Sequence, residues 1–283
     1  MEKQTVFSQE REVRRLATQN RLMHGCEAPL FCELFAGRSG LRVLDVGSNN
    51  GDKTVRWFSD SAVKKVLGLE YNAPLALQAQ QSFGDERFSF VACDVEAPDF
   101  SGRLRELMQR EGIPGFDVIY LSFVLSHLRA PDALLRHLRT LLRPGGILVA
   151  AETDDSRCAL APEGGALLRR FLEILARDPL AGDRGTGARL EQMLHQCGFA
   201  GVRRRCDAIA AGPGETEKKA DIFEMFFSYL PEDMTALQEM GDFRRDARWL
   251  SENFSALQRA VCAPESQISM GISVVTGTTE PEY

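Results

Sequence analysis

The residues with the clearest potential for chemistry lie in one stretch, Leu41 to Tyr71, as an acid, two glycines and a second acid. Asp45 stands two residues before Gly47, Gly51 follows four residues later, and Glu70 comes nineteen residues after Gly51. Glycine permits positive φ and lets a ligand approach the backbone closely. In an open α/β sheet, ligands bind beyond the carboxyl ends of the strands, where an acid can hold a ribose diol. The stretch therefore predicts a site for a nucleoside-bearing cofactor.

Two strands and a helix must position these residues. A short apolar run made by Val43, Leu44 and Val46 is flanked by turn residues, which is typical of a strand buried on both faces of a parallel sheet. A helix is predicted from about Lys53 to Ser59, with Asp52 as its N-cap. A second strand, Lys64 to Leu69, then ends at Glu70. The order is strand, turn, helix, strand.

The glycine spacing separates two classes of cofactor. Dinucleotide sites use G-x-G-x-x-G with a pyrophosphate at the helix N-terminus, whereas this run is Asp45-x-Gly47-x-Asn49-x-Gly51. A carboxylate before the first glycine would repel a pyrophosphate but suits a cationic ligand. The run resembles the first motif of the class I S-adenosylmethionine (AdoMet) dependent methyltransferases, D/E-x-G-x-G-x-G. Asn49 replaces the middle glycine, and asparagine tolerates the left-handed region better than most residues. An ordinary βαβ turn without a ligand is the alternative interpretation.

The resemblance implies a role for each residue near the predicted strand ends. Asp45 would set the electrostatics and shape of the site, with the 47–51 backbone around the methionyl part and Glu70 on the ribose hydroxyls. An acid after the third strand would accept a hydrogen bond from the adenine amino group, since a carboxylate is acceptor-only. The residues expected to bind the cofactor are Asp45, Gly47, Ser48, Asn49, Gly51, Glu70, Tyr71, Asp94, Val95, Ser122 and Phe123.

The segment after the fourth predicted strand, Phe116 to Ser122, is expected to face the reacting groups. By resemblance, Ser122 and Phe123 would lie beside the transferred methyl and the acceptor. His127 follows five residues after Ser122, and histidine is the side chain most easily poised to take a proton near neutral pH. His127 is therefore a candidate general base or acceptor anchor. Its alternative role is to cap a turn or pack against the next helix.

A second point of resemblance is the phrase LLRPGGILV at 141–149, where a leucine-striped helix turns into a strand. The predicted fold is α/β: a seven-stranded, mostly parallel, doubly wound sheet with an antiparallel last strand. The predicted parts are an N-terminal cap (1–35) of two helices separated at Gly25, an AdoMet-binding Rossmann-like core (36–210), a helical insertion (211–266) and a last strand with a tail (267–283). The aromatic-rich insertion is expected to be a lid, a dimer interface or plain core.

Composition narrows the partners. The chain has 283 residues, a net charge of −6 and a pI near 5.4, which argues against a protein whose main task is to neutralise nucleic-acid phosphates. Seven cysteines without a C-x-x-C pair indicate neither a disulfide framework nor a zinc site, so reduced cysteines and no metal are expected. No apolar run is long enough to span a bilayer. We expect a cytoplasmic protein without membrane or nucleic-acid partners. The composition leaves open whether the protein forms a homodimer.

The function implied is methyl transfer from AdoMet to a small-molecule acceptor by in-line displacement, with S-adenosylhomocysteine (AdoHcy) as product. That chemistry needs positioning and exclusion of water rather than a nucleophilic side chain. A nucleotide-dependent oxidoreductase would require the G-x-G-x-x-G spacing, which this run lacks. Such enzymes often carry a Tyr-x-x-x-Lys pair, and none of the four tyrosines has a lysine four residues later. A non-catalytic AdoMet-binding protein and a macromolecular acceptor, RNA or protein, remain the alternatives.

Overall fold

A computed structural model describes residues 10–280, which divide into two compact units. The sheet unit comprises Glu27–Glu152, Arg189–Cys206 and residues 273–280, and the helical unit comprises residues 10–26, Thr153–Ala188 and Asp207–Ile272. The strands are β1 Leu41–Val46, β2 Val63–Glu70, β3 Phe88–Ala92, β4 Phe116–Ser122, β5 Leu142–Thr153, β6 Ala159–Ala161, β7 Ala200–Ala211 and β8 Gln267–Thr278. The helices are α1 Glu10–Phe35, α2 Asp52–Phe58, α3 Ala73–Phe83, α4 Phe100–Arg110, α5 Pro131–Leu141, α6 Gly165–Leu175, α7 Thr186–Gln196, α8 Thr216–Phe227, α9 Leu230–Glu239 and α10 Arg244–Cys262.

The strands of the sheet unit run in the order β3-β2-β1-β4-β5-β8, with β7 also paired to β8. Strands β1 to β5 pair in parallel, for example Val46 with Leu69 of β2 and with Leu121 of β4. The chain order reverses between β1 and β4, which is the topological switch point where open α/β sheets bind ligands. The carboxyl ends of β1 to β4 therefore meet at one edge. The α/β fold predicted from the sequence is confirmed.

The core of the sheet unit forms because both faces of the parallel strands are apolar. Leu44, Leu67 and Ile119 are fully buried, and helix α5 adds Leu135 and Leu138 from its leucine stripe. Each such side chain contributes about 1.5–3 kcal/mol on full burial, so helix and sheet are held by packing rather than by helix propensity.

Three local predictions differ from the structure. Helix α1 is continuous through Gly25 and Pro29, where the sequence predicted two helices. An interior glycine costs only about 1 kcal/mol relative to alanine, which tertiary packing can outweigh. Gly51 with φ 84° is the N-cap of α2, and Asp52 is the first helical residue instead of the cap. The short strand β6 is an eighth strand that its three residues gave no pattern to predict.

The helical unit contains β6, which pairs antiparallel with the start of β8, and most of the predicted insertion. The aromatic residues of α8 are buried among themselves and their neighbours: Phe223 lies 5.5 Å from Phe227 and 5.3 Å from Phe254, centroid to centroid. Lys219 is also buried, because its ammonium donates to the carbonyls of Ala263 and Pro264 at the end of α10. These aromatic side chains belong to the core of this unit, and a lid or dimer role for the insertion stays a prediction.

The cysteines depart from expectation at two positions. Cys26 and Cys206 are disulfide-bonded, whereas Cys32, Cys93, Cys158, Cys197 and Cys262 are free thiols. The expectation that every cysteine is reduced is therefore wrong, because spacing along the chain does not reveal which cysteines are oxidised. Within residues 10–280 no group of three metal-ligating side chains is positioned to hold an ion. The same residues include no helix with the length and apolarity to cross a membrane.

Candidate functional site

The turn after β1 is built from left-handed residues. Gly47 has φ 81°, Asn49 has φ 50° and Gly51 has φ 84°. A Cβ on Gly47 would lie 2.5 Å from Val124 Cγ2, so only glycine fits there. The amides of Gly47 and Ser48 both donate to the carbonyl of Leu69, at 2.8 and 3.0 Å. Asn49 occupies the middle glycine position of the motif in the left-handed conformation that the sequence required of it.

Glu70 ties this turn to the end of β2. Its carboxylate accepts from the amide of Asn49 at 2.9 Å and from the amide of Asn72 at 2.8 Å. Burial raises the pKa of Glu70, and the backbone donors oppose that rise. The carboxylate also accepts from the Tyr71 amide, and with about four lone-pair sites it can still accept a bond from a ribose hydroxyl. Glu70 thus lies where the sequence placed it and also shapes the turn.

Asp45 lies beneath the turn and is 3% exposed. Its carboxylate accepts a hydrogen bond from the Thr54 hydroxyl at 2.6 Å, which fixes its orientation toward helix α2. Burial raises the pKa of Asp45 to about 7, against the lowering effects of Thr54 and Lys53. The carboxylate is therefore poised to change charge near neutral pH, and a nearby cation would favour its charged form.

Ser48 has a buried hydroxyl that no described group satisfies. The residue is 4% exposed and its Oγ has no hydrogen-bond partner in residues 10–280. An orphaned buried hydroxyl costs about 1–3 kcal/mol unless a partner arrives. A polar ligand in the turn would supply one. This is an independent indication that the 47–51 turn is a binding site.

The ends of β2 and β3 are joined by the Cys93 amide, which donates to the carbonyl of Glu70 at 2.8 Å. Asp94 follows directly and accepts from the Glu96 amide at 2.9 Å, so its side chain also shapes a turn. Val95 is partly buried against the core, and Tyr71 is 57% exposed. A large exposed aromatic beside the cradle is free to stack on a planar ligand.

The end of β4 carries backbone strain. Phe123 has φ 56°, an uncommon conformation for a bulky residue, and its amide donates to the Ala151 carbonyl at 2.8 Å. Strained residues of this kind occur at functional sites. Leu125–His127 then forms a short 3-10 turn, in which His127 is exposed. The structure brings Ser122 and Phe123 to the same sheet edge as the 47–51 turn, and leaves His127 at its rim.

A buried acid at the end of β5 holds this loop. Glu152 is 1% exposed and accepts from the Ser126 amide at 3.2 Å. Burial raises its pKa to about 7, and hydrogen bonds from Ser126, Leu125 and Val124 oppose the rise. Glu152 thus positions the segment after β4. The sequence marked it only as one of several acids at a strand end.

Four residues that the sequence did not identify form a polar cluster at the end of β4: Glu27, Lys53, Trp57 and Tyr120. The Lys53 ammonium donates to the Ser122 hydroxyl at 2.7 Å and lies 3.1 Å from Glu27. Glu27 is fully buried within the apolar stripe of α1, where a helical pattern gives no sign of a functional acid. The one available signal was a charged residue at a core-facing position.

Comparisons with known proteins agree with this geometry. A family model described as a methyltransferase domain matches residues 44–148, which include the 47–51 turn, Glu70, Asp94 and Ser122. A tRNA U34 carboxymethyltransferase from Syntrophotalea carbinolica is 32% identical over 167 residues, covering 58% of this chain and 46% of that one. A second, from Methylococcus capsulatus, is 29% identical and covers 82% and 65%. A demethylmenaquinone methyltransferase from Tropheryma whipplei is 27% identical, covering 59% and 70%.

Solved structures share the fold at low identity. A Haemonchus contortus phosphoethanolamine N-methyltransferase 2 in complex with AdoMet is 14% identical with a TM-score of 0.54, covering 100% of this chain and 60% of that one. The [4+2]-cyclase SpnF is 18% identical with a TM-score of 0.53, covering 93% and 81%. A cyclase on this fold shows that architecture alone does not fix the reaction.

The chain spans about half to two thirds of the length of the first two relatives. A cationic adenosine compound without a phosphate fits three features of this site. They are the left-handed 47–51 turn, the acid at the end of β2 and the unsatisfied Ser48 hydroxyl. The matched domain covers these same residues. Residues 44–148 match the methyltransferase-domain family, and the residues of the 47–51 turn fit AdoMet as the cofactor.

Proposed function

We propose that this protein transfers a methyl group from AdoMet to a small-molecule acceptor by in-line displacement. The observation that carries the proposal is the turn at the ends of β1 and β2, where the left-handed residues 47–51 are tied to the Glu70 carboxylate and the buried Ser48 hydroxyl has no partner among the described residues. The acceptor atom attacks the methyl carbon, the carbon–sulfur bond breaks with its electron pair going to sulfur, and AdoHcy leaves as the neutral thioether.

The roles of the cradle residues follow from their chemistry. The 47–51 backbone and the Ser48 hydroxyl would contact the methionyl part, and Glu70 would accept bonds from the ribose hydroxyls. Tyr71, Asp94 and Val95 would surround the adenine. Ser122 and Phe123 would lie beside the methyl group. The protein then contributes chiefly alignment of the three reacting atoms and exclusion of water.

Asp45 gives the cofactor site a testable pH dependence. Because the pKa of the buried carboxyl is about 7, it is protonated below that pH and charged above it. A cationic ligand binds the charged form better, so we expect AdoMet affinity to rise as the pH rises through about 7. Calorimetry from pH 6 to 8 measures the AdoMet affinity.

Two controls accompany this measurement. AdoHcy shares the methionyl amine but lacks the sulfonium, so its affinity should change less with pH. Asp45→Asn should make the AdoMet affinity nearly independent of pH. Equal slopes for wild type and Asp45→Asn would contradict the assignment.

The binding test of the function is calorimetric titration with AdoMet, AdoHcy and NADH. We expect both adenosyl sulfur compounds to bind and NADH to give no signal, since the acid before Gly47 disfavours a pyrophosphate. Tight NADH binding without an AdoMet signal would refute the proposal. Binding of AdoMet with no methyl transfer to any acceptor fraction would favour the non-catalytic alternative.

A tRNA acceptor is the second candidate, because relatives at 32% and 29% identity are named tRNA U34 carboxymethyltransferases. The net charge of −6 favours a small acceptor over a polyanion, and a quinone-directed methyltransferase is also among the relatives. Methyl-labelled AdoMet incubated separately with a small-molecule extract and with bulk tRNA decides between them. Label in the extract alone supports the proposal, and label in tRNA would establish the second candidate.

His127 is the candidate base of this reaction. If it removes the acceptor proton, His127→Ala should lower kcat by roughly 10²- to 10⁴-fold, the usual contribution of a positioned base, without changing AdoHcy affinity. His195→Ala, which removes another exposed histidine of the sheet unit, is the matched control. Turnover of the labelled acceptor measures both variants. Full turnover by His127→Ala removes this residue from catalysis.

A further inference from the structure

The cluster at the end of β4 is centred on a buried carboxylate. Glu27 Oε1 accepts from the Tyr120 hydroxyl at 2.6 Å, and its Oε2 accepts from the Trp57 indole at 3.0 Å. The Lys53 ammonium adds a third donor at 3.1 Å from Oε1. Burial and the neighbouring Glu27 raise the pKa of Tyr120 well above its usual value, so the phenol stays a donor. The charge of Glu27 is therefore shared among three donors.

Aromatic packing fixes this carboxylate in place. Phe31, one turn after Glu27 on α1, packs against Trp57 at 5.0 Å and against Phe58 and Tyr120 at 5.4 and 5.5 Å, centroid to centroid. The C-terminal half of α1 is thus locked onto α2 and β4. This packing holds Glu27 beside Lys53 and away from solvent.

Lys53 carries its charge to the edge of the cofactor cradle. Its ammonium bonds Ser122, the last residue of β4, and lies 5.3 Å from the Tyr120 ring centroid and 5.8 Å from that of Phe123. Among the described residues, Glu27 and Ser122 accept hydrogen bonds from two of the three N–H groups of the Lys53 ammonium. The third N–H remains for a ligand, beside the strained Phe123 backbone.

A purely structural ion pair explains this arrangement poorly. Burying two charges costs several kcal/mol per ion, and an apolar pair of similar size would often be as stable. That cost falls when an anionic ligand binds the Lys53 ammonium.

We propose that Lys53 anchors the methyl acceptor through an anionic oxygen, so that the acceptors of this enzyme are acidic compounds: phenols, enols or carboxylic acids that react as their anions. The inference rests on the proposed function and adds the substrate class. The acceptor gives up its proton to water or to a base, and the anion lies against the Lys53 ammonium. The anion, or the carbon conjugated to it, then takes the methyl group. Glu27 acts as a positioning residue for Lys53.

The test uses AdoHcy-loaded protein and two probes, 4-nitrophenol and acetate. Absorbance of the nitrophenolate at varied pH gives the pKa of the bound phenol, and calorimetry compares acetate with the neutral acetamide. We expect wild type to lower the pKa of bound 4-nitrophenol and to prefer acetate over acetamide. Lys53→Met should reduce both preferences at least tenfold, whereas Lys53→Arg should retain them.

Two further variants separate an anion anchor from a structural pair. Glu27→Gln removes the compensating charge but keeps an acceptor for Tyr120, so anion affinity should rise, which a structural role does not predict. Lys65→Met removes a comparably buried lysine that pairs with Glu111 at 2.9 Å on β2, and it should behave as wild type. Thermal unfolding checks that each variant is folded.

The outcomes distinguish this inference from the function beneath it. Failure of wild type to bind AdoHcy would refute the cofactor site itself. Normal AdoHcy binding with no preference for either anionic probe would overturn the role of Lys53 and leave methyl transfer standing. An unchanged preference in folded Lys53→Met would overturn it equally.

Discussion

Replacing Glu70 with alanine is expected to weaken AdoMet and AdoHcy binding by about tenfold to a hundredfold, or ~1.5–3 kcal/mol, the value of hydrogen bonds to a charged group. The structure makes this loss larger than a ribose contact alone. The same carboxylate accepts from the amides of Asn49 and Asn72, so its removal also leaves two donors of the binding turn unsatisfied.

Calorimetry with AdoHcy measures the effect without a known acceptor. Glu70→Gln keeps one acceptor oxygen and should fall between wild type and Glu70→Ala. Glu86→Ala, at an exposed position of the same unit, should leave the dissociation constant unchanged. If Glu70→Ala binds AdoHcy as tightly as wild type does, Glu70 does not hold the ribose.

Replacing Gly47 with alanine is expected to destabilise the protein by about 2–5 kcal/mol and to remove measurable AdoMet binding. Two causes add. A left-handed conformation costs an L-residue roughly 1–2 kcal/mol, and the new methyl would lie 2.5 Å from Val124 Cγ2, an overpacking that typically costs about 1–3 kcal/mol. Urea unfolding measures the stability and calorimetry the binding.

The chain offers controls for both causes. Gly145 has φ 72°, and nothing lies within 4 Å of the position where a Cβ would be, so Gly145→Ala should show the conformational cost alone. Val124→Ala removes the clashing methyl, and the double variant Gly47→Ala/Val124→Ala should recover the packing part of the loss but not the conformational part. A single variant as stable as wild type would mean that the turn rearranges freely. It would then not be a preformed cradle.

The variants together separate binding from chemistry. Glu70 and Gly47 test whether the cradle holds the cofactor, Asp45 tests how its charge is recognised, and His127 and Lys53 test what happens to the acceptor. Only the last two bear on the reaction. If both tests fail, His127 and Lys53 have no part in the reaction, and the labelled-AdoMet assay alone decides whether methyl transfer occurs.

The sequence by itself determined the fold class and the local unit on which the cofactor proposal rests. The motif from Asp45 to Gly51 and the acid at position 70 belong to one β1-α2-β2 unit, and the parallel order of β1 to β4 places their ends side by side. Connectivity alone dictates that proximity, because a right-handed crossover leaves few alternatives. Even Asn49 was predictable, since its side chain tolerates the positive φ that the turn requires.

Only the tertiary structure decided which polar side chains are buried together at the end of β4. Glu27 meets Lys53 across 26 residues and Tyr120 across 93, and Lys53 meets Ser122 across 69. No periodicity marks such pairs, because helical and strand patterns report which face is apolar and not which distant polar group is buried opposite. Glu152 was equally unmarked by the local pattern. It accepts from the Ser126 amide only because β5 ends beside the loop that follows β4. Local patterns fix where strands end, and long-range packing fixes which charges lie buried there.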